Sequence, residues 1–259
     1  MATAPLHYAV AAVSNVGRKR AGNEDSFGYS VEHCVYLVCD GLGGAAAGEV
    51  ASSLAVEEVL RLLTARTVNE TAALGARIEE SVRAANHAIL SRAQNDRNLA
   101  GMGTTLVGLV AEASRVVVFN VGDSRCYLMR EPGQDQAGTV PAPASLQQIS
   151  LDHSLVQEQV RLGRMTISEA ERSPFRSVIT RALGTQTEVV PDLFEVKTQP
   201  GDIFLLCSDG LTNELTDSTI ESLLASDLPL DGLCASLVSA ANQAGGRDNI
   251  TCLIVRAEK

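Results

Sequence analysis

The sequence predicts an α+β fold in which two β-sheets pack face to face and helices cover the outside. Strand-like runs come in groups, and helix-like runs cluster in two places along the chain. This order is typical of α+β domains, because parallel βαβ folds alternate the two element types. The β-rich runs over residues 104–130 are separated by short turns, which favours antiparallel pairing.

Strands are predicted where β-branched and aromatic residues form short runs bounded by turn residues. They cover residues 6–14, 35–39, 104–111, 115–121, 124–130, 146–149, 194–197, 203–207 and 249–256. Helices are predicted where apolar residues recur every three or four positions. They cover residues 47–65, 71–94, 216–225 and 231–243.

Two irregular regions interrupt this series. Residues 131–145 are rich in Pro, Gly, Gln and Ala and predict an exposed loop. Residues 154–184 carry several charges, a short helix pattern around Val156, and a possible capping box from Thr166 to Glu169. We interpret 154–184 as a flap-like insertion, so residues 1–259 form a single domain.

Composition excludes several function classes. The net charge is −10 and the one basic cluster, residues 18–20, is only three residues long, so nucleic-acid and anionic-membrane binding are disfavoured. Within that cluster, Arg18 and Lys19 are typical of a solvated turn. The six cysteines show no C-x-x-C spacing and predict buried thiols in a reducing compartment. No apolar run reaches the length of about 18 residues that a membrane helix needs. We therefore expect a cytoplasmic protein.

Two apolar strands end in the same way, in VYLVCDGLGG (35–44) and IFLLCSDGL (203–211). Three further motifs also place an aspartate next to Gly or a small polar residue at a strand end. The five aspartates are Asp25, Asp40, Asp123, Asp209 and Asp248. A half-buried carboxylate is costly unless it is paired or binds a cation, and few basic residues lie nearby in sequence.

An all-oxygen cluster favours Mg²⁺ or Mn²⁺, because these hard cations prefer oxygen ligands over His or Cys. Gly41 has no Cβ, so its carbonyl can turn toward an ion. Several carboxylates imply two ions about 3.5–4 Å apart, which could activate a bridging hydroxide toward phosphorus. Each Asp taken singly is also typical of a turn or cap, and calcium-binding structural loops are an alternative for the set.

Eight motifs, in their order along the chain, resemble the metal-dependent type 2C protein serine/threonine phosphatase family. They are RAGNED (20–25), DGLGG (40–44) with GE (48–49) and AS (51–52), GTT (103–105), VGDSR (121–125), DHS (152–154), TRALG (180–184), CSDGLT (207–212) and GGRDNIT (245–251). The resemblance spans nearly the whole chain, and the set in order is far more specific than any one motif.

The resemblance implies a four-layer α/β/β/α sandwich with a dinuclear Mn²⁺ or Mg²⁺ centre at one edge. It implies that the metal carboxylates are Asp25, Asp40, Asp209 and Asp248. It assigns a carbonyl ligand to Gly41, a third and weaker ion to Asp123 with Asp209, and a water-mediated contact to Glu24. Arg20 matches the arginine that binds substrate phosphate, a role that suits its planar fork.

One position departs from many eukaryotic members, where a histidine follows the Asp-Gly pair and is proposed as general acid. Here that residue is Leu42, which resembles the bacterial branch. The general acid is then metal-bound water or another group, and we interpret His153 as structural. Arg125, Thr105, Arg181 and Asn249 are expected to hold loops and strands in place.

The resemblance implies an enzyme that dephosphorylates phosphoserine and phosphothreonine in proteins and counteracts a bacterial Ser/Thr kinase. We expect it to be a monomer. A pseudophosphatase that only binds a kinase or phosphoprotein is the main alternative. It is disfavoured because such a protein should have lost at least one core aspartate. A role in dephosphorylating antagonists of anti-sigma factors keeps the same chemistry.

Overall fold

The strands and helices were located in a computed structural model, which describes residues 6–65, 73–112, 115–130 and 145–259. The strands are β1 (His7–Asn15), β2 (Asp25–Ser30), β3 (Val35–Leu42), β4 (Gly103–Thr104), β5 (Leu106–Glu112), β6 (Arg115–Val121), β7 (Arg125–Arg130), β8 (Ser145–Gln148), β9 (Asp192–Lys197), β10 (Ile203–Cys207) and β11 (Ile250–Glu258). The α-helices are α1 (Ala45–Thr64), α2 (Leu74–Asn95), α3 (Leu155–Arg161), α4 (Ile167–Arg172), α5 (Asp209–Thr212), α6 (Asp217–Leu224) and α7 (Leu230–Ala244).

The strands form two sheets, which confirms the predicted fold class. One sheet has the order β1-β11-β10-β7-β8, and the other has the order β2-β3-β5-β6-β9 with β4 paired to β3. The pairings between these strands are antiparallel. The two strands that end in Asp-Gly-Leu, β3 and β10, therefore belong to different sheets.

Three apolar layers hold the sandwich together. One lies between α1, α2 and the β3 sheet, one between the two sheets, and one between the β10 sheet and helices α5 to α7. Successive side chains of β3 point to opposite faces of the sheet, so this strand contributes to two of the apolar layers. Leu37 and Cys39 face the helices, whereas Tyr36 and Val38 face the other sheet. Burial on both faces explains why β3 is apolar throughout.

Three elements near the site differ from the sequence prediction. Strand β2 was not predicted, because its residues DSFGYS are mostly polar and only half-buried at a sheet edge. The predicted strand 104–111 is divided into β4 and β5, which pair with different parts of β3. Helix α5 was also not predicted, since it is a single turn. The aspartates therefore lie at breaks and junctions of strands more than at simple strand ends.

The flap segment (residues 154–184) contains α3 and α4 and lies between β8 and β9. The predicted capping box is present: Thr166 and Glu169 bond reciprocally at the start of α4. Of the loop predicted over 131–145, Ser145 belongs to β8 and the rest lies outside the described residues. The turn residues 113 and 114 also lie outside them.

The six cysteines are free thiols, and five of them are buried as predicted. Cys34 is half-buried. Across the described ranges, no helix combines the length and apolar character needed to cross a membrane.

Candidate metal centre

Asp25 and Asp40 are direct neighbours across the β2–β3 pair. Carboxylates directly opposite each other in a sheet repel, so this register is unfavourable unless something neutralises them. Asp25 begins β2, and Asp40 lies two residues before the end of β3. The register itself brings together two residues that the sequence separates.

One carboxylate oxygen of Asp25 accepts two hydrogen bonds, and the other accepts none. Oδ2 accepts hydrogen bonds from Ser208 Oγ at 2.7 Å and Thr251 Oγ1 at 2.6 Å. Oδ1 is buried and has no hydrogen-bond partner. A buried carboxylate oxygen without a donor is costly, so Asp25 is oriented with one oxygen ready for a cation.

Asp40 lies where the strand ladder is interrupted. On one side it faces Asp25, and on the other it faces Thr105, the residue between β4 and β5. The Thr105 hydroxyl accepts the Asp40 N–H at 2.9 Å, and the Thr105 N–H donates to the Asp40 carbonyl at 2.9 Å. Thr105 also contacts Ser124 Oγ at 2.7 Å, next to Asp123. This interruption holds the Asp40 backbone in place and frees its side chain from the sheet.

Asp209 comes from the other sheet, at the junction of β10 and α5. Its Oδ2 accepts a hydrogen bond from Asn213 Nδ2 at 2.9 Å. Asp248 lies in the loop between α7 and β11, where its Oδ1 accepts the Asn249 N–H at 2.8 Å. Two loops from the β10 sheet therefore bring carboxylates toward the pair on the β3 sheet.

Two of the five aspartates, Asp40 and Asp209, are followed by a glycine that lets another segment of the chain approach closely. A Cβ on Gly41 would overlap the Gly48 carbonyl and lie 2.6 Å from the Glu24 carbonyl oxygen. A Cβ on Gly210 would overlap the Asn249 carbonyl and contact Asp248. A glycine at position 41 therefore has two reasons: the expected freedom of its carbonyl, and the close packing against Gly48 and Glu24.

Asp123 and Glu24 complete the acidic set. Asp123 lies in the turn between β6 and β7 and is buried. Glu24 precedes β2 and is also largely buried, and burial raises the pKa of its carboxyl. The Glu24 N–H donates to Asn249 Oδ1 at 2.8 Å, which fixes this residue beside the Asp248 loop.

The predicted phosphate-binding arginine reaches the same centre. Arg20 lies between β1 and β2, and its Nη2 donates to Asp248 Oδ2 at 2.7 Å. Its side chain is 49% exposed, so much of the guanidinium faces solvent. An arginine placed in this way is beside the carboxylates but still accessible to a ligand.

The carboxyl groups raise one another's pKa. Burial, followed by the charges of the other four aspartates, raises the pKa of Asp40 well above its usual range. Burial is also the main cause that raises the pKa of Asp25 to about 7 and of Asp123 to about 8, and it raises the pKa of Asp209. A cation bound among these groups would offset both the cost of burying the charged carboxylates and the repulsion between them.

The donors fit a hydrated hard cation. Within the described ranges, no three His, Cys, Asp or Glu side chains are arranged so that they could hold an ion by themselves. Carbonyl oxygens and water are further donors that hard cations take in proteins. Mg²⁺ keeps several waters when proteins bind it, and oxygen donors also suit Mn²⁺. The oxygen donors gathered here are of the kind that these ions prefer.

The residues interpreted as structural do make structural contacts. Arg125 binds Asp152 through both its Nε and Nη2. His153 is buried, accepts the Gly122 N–H through Nδ1 at 3.0 Å, and has Nε2 at 3.2 Å from Asp192. Nε2 makes no hydrogen bond there, and burial lowers the pKa of the His153 imidazole, which favours its neutral form. His153 thus ties the start of the flap segment to β6 and β9.

Asn249 connects three segments around the site. In addition to Glu24, its side chain reaches the carbonyls of Val16 and Gly22, each at 2.9 Å. Its amide thus holds the loop that carries Arg20 against the Asp248 loop. This agrees with the role expected for Asn249, whereas the sequence motifs did not indicate Ser208 and Asn213 as partners of the aspartates.

A cleft of about 850 Å³ opens beside Asp123 and Asp209. The flap segment lines one wall with Val156, Val160 and Ile167. Residues 212–218, which are mostly polar, also line the cleft. The cleft therefore leads from the acidic centre along the flap segment.

The raised pKa values predict how pH changes the stability of the metal-free protein. An acid whose folded pKa lies above its unfolded value of about 4 costs stability as pH rises through that interval. For Asp123 this loss extends to about pH 8. We therefore expect Asp123→Asn, in EDTA, to unfold at a higher denaturant concentration than the wild type at pH 8.5. At pH 5 the two midpoints should be much closer.

This comparison isolates Asp123 from other groups that titrate in the same interval, such as His153, whose pKa is lowered by burial. Denaturant midpoints followed by circular dichroism provide the measurement. A wild-type advantage at pH 8.5 would show that the Asp123 carboxylate is stabilising and would contradict the prediction.

Comparisons with known proteins agree with this geometry. The family model described as protein phosphatase 2C matches residues 17–252. The "Serine/threonine phosphatase stp" of Listeria innocua is 37% identical over 249 residues, which cover 92% of each chain. The crystal structure of the Mycobacterium tuberculosis serine/threonine phosphatase PstP/Ppp has a TM-score of 0.85 and 36% identity, covering 97% of this chain and 99% of that one.

A second solved structure is the catalytic domain of the phosphatase PstP in complex with two manganese ions. It has a TM-score of 0.82 and 35% identity, and covers 98% of this chain and 100% of that one. The family match spans most of the chain, and the relatives are bacterial. The chain therefore belongs to the protein phosphatase 2C family, in its bacterial branch.

Proposed function

We propose that the chain hydrolyses phosphoserine and phosphothreonine in proteins with the help of two Mn²⁺ or Mg²⁺ ions. As a family member it is a protein-serine/threonine phosphatase. The observation that carries the metal-dependent chemistry is the buried, unpaired Oδ1 of Asp25, a residue that is paired directly with Asp40 in the β2–β3 register. The manganese-bound structure of the related PstP domain supports the number of ions.

The proposed ligands of the two ions are Asp25, Asp40, the Gly41 carbonyl, Asp209 and Asp248. A third, weaker ion would lie near Asp123 and Asp209, and Glu24 would act through water. Bound there, the ions would lower the pKa of a shared water and supply the hydroxide for direct in-line attack on phosphorus. This chemistry requires no covalent phosphoenzyme.

The chain's own groups bind and orient the substrate. The exposed guanidinium of Arg20 can form two parallel hydrogen bonds with phosphate oxygens. Asn249 holds the Arg20 loop, so the fork approaches from a fixed direction. The cleft beside Asp123 and Asp209 has room for the polypeptide that flanks a phosphorylated residue. Fixing the phosphate and its chain in this way converts attack into an effectively unimolecular step.

The biological partners follow from this chemistry. We propose that the substrates are phosphoproteins made by a bacterial Ser/Thr kinase, and that the enzyme acts as a monomer in the cytoplasm. The acidic net charge gives no support to nucleic-acid binding, and the free cysteines suit a reducing compartment. A phosphoproteome in which no Ser/Thr site rises when the protein is deleted would contradict this assignment.

We expect hydrolysis of a phosphothreonine peptide to require added Mn²⁺. EDTA should abolish phosphate release, and excess Mn²⁺ should restore it, because the buried carboxylates need a cation to become a working site. The matching phosphotyrosine peptide is the control and should be hydrolysed poorly. Activity that survives EDTA would contradict the metal-dependent mechanism.

A further inference from the structure

Glu214 is an acidic residue that the sequence motifs did not single out. It follows α5, the helix that begins with Asp209, and its side chain is only 2% exposed. Its Oε1 accepts the Arg247 N–H at 2.9 Å and Arg247 Nε at 2.9 Å, and its Oε2 accepts Nη2 at 3.0 Å. One buried carboxylate therefore binds both the backbone and the guanidinium of Arg247.

Arg247 immediately precedes Asp248, so these bonds join two segments that carry proposed metal ligands. The same segments also touch at Gly210, whose Cα packs against the Asn249 carbonyl. Two contacts therefore connect α5 and the segment after it to the Asp248 loop. The first is the close packing at Gly210, and the second is the polar contact between Glu214 and Arg247.

Asp209 and Asp248 carry like charges when both are ionised, so the two carboxylates repel each other. Without an ion, this repulsion favours a wider separation of α5 from the Asp248 loop. The contacts between Glu214 and Arg247 act against that separation. They are charge-assisted and bidentate, the strongest kind of side-chain hydrogen bond.

We propose that Glu214 and Arg247 are positioning residues, which keep Asp248 close to Asp209 and so prepare both for a divalent cation. This inference rests on the proposed function, because it concerns the same metal centre. Neither residue needs to touch the ion or the substrate. Groups that orient metal ligands in this way commonly change metal affinity by about 10- to 100-fold.

A similar pair elsewhere in the chain provides a matched control. Arg130 binds the buried Asp202 through Nε and Nη2, both at 2.7 Å. Asp202 is 1% exposed, as buried as Glu214. However, Asp202 precedes β10 and Arg130 ends β7, so the pair lies at the other end of these strands from Asp209 and Asp123. Its loss should affect stability without affecting the metal centre.

The test is Mn²⁺ binding by the metal-free protein, measured by calorimetry and by the electron paramagnetic resonance signal of free Mn²⁺. We expect Glu214→Gln to weaken Mn²⁺ binding about 10-fold. Much of the turnover rate should return at saturating Mn²⁺, because no ligand is lost. Asp202→Asn should bind Mn²⁺ like the wild type, although its unfolding midpoint should also fall.

A double variant tests whether the two residues act through each other. If they do, Glu214→Gln with Arg247→Gln should weaken Mn²⁺ binding no more than the more harmful single change. Wild-type Mn²⁺ affinity in Glu214→Gln would overturn the inference, as would equal weakening in Asp202→Asn. If the wild type itself binds no Mn²⁺, the proposed function fails together with the inference.

Discussion

Replacing Asp209 or Asp40 by asparagine should abolish most phosphatase activity and yet stabilise the metal-free protein. Each aspartate is a proposed metal ligand, and the two come from different sheets. Loss of metal assistance worth about 4 kcal/mol lowers kcat/KM by about 1,000-fold. We therefore expect a loss of at least about that size for either variant with a phosphothreonine peptide.

The expected stabilisation has a separate cause. In the absence of ions, burial and neighbouring negative charges make the ionised forms of Asp40 and Asp209 unfavourable, as their raised pKa values show. Asparagine keeps the shape and removes the charge. At pH 8 in EDTA, the variants should therefore unfold at a higher denaturant concentration than the wild type.

Added Mn²⁺ should reverse the order, because only the wild type retains the full ligand set and gains binding energy on folding. This crossing of stabilities separates a metal ligand from a structural residue. Asp202→Asn is the control: it breaks a buried pair with Arg130 and should lower stability both with and without Mn²⁺. If Asp40→Asn also lowered stability both with and without Mn²⁺, Asp40 would be a structural residue and not a metal ligand.

The motifs predicted the acidic residues of the centre, but they did not predict which contacts each would make. Ser208 adjoins Asp209 in sequence, yet its hydroxyl binds Asp25, which is 183 residues away. Thr251 binds the same oxygen of Asp25 across 226 residues. Such contacts depend on how the two sheets are superposed, and no local pattern contains that information.

Strand β2 shows why part of the fold was missed. Hydrophobic alternation reveals strands that bury a face, but β2 is a half-exposed edge strand with Gly28 in its middle. Its position is fixed by pairing with β3, whose sequence is strongly β-forming. The β2–β3 register then decides that Asp25 faces Asp40. The apolar strands were therefore predictable, whereas the register at the centre was not.

Helix α5 was missed for a related reason. A single turn carries too few residues for a periodic pattern, and its Gly210 is a poor helix former. The structure explains that glycine by the approach of the Asn249 carbonyl. Gly210 thus disfavours the helix locally but allows the segment after Asp248 to lie close to α5.

Arg20→Ala should weaken substrate binding while leaving Mn²⁺ binding intact or slightly tighter. Arg20 donates to Asp248 Oδ2, so its removal takes a positive charge away from a proposed metal ligand. A cation should then meet less repulsion. A phosphate dianion, in contrast, loses a bidentate partner, and we expect kcat/KM for a phosphothreonine peptide to fall by about 100-fold, mainly through KM.

Two further variants sharpen this test. Arg20→Lys retains the charge but not the planar fork, so its kcat/KM should lie between those of the wild type and Arg20→Ala. Lys19→Ala removes a positive charge from an exposed position in the same loop and should leave KM nearly unchanged. If Lys19→Ala raised KM as much as Arg20→Ala, general electrostatic attraction by the loop would explain the effect. A KM that rises in Arg20→Ala together with an unchanged Mn²⁺ affinity requires a direct contact between this guanidinium and the phosphate.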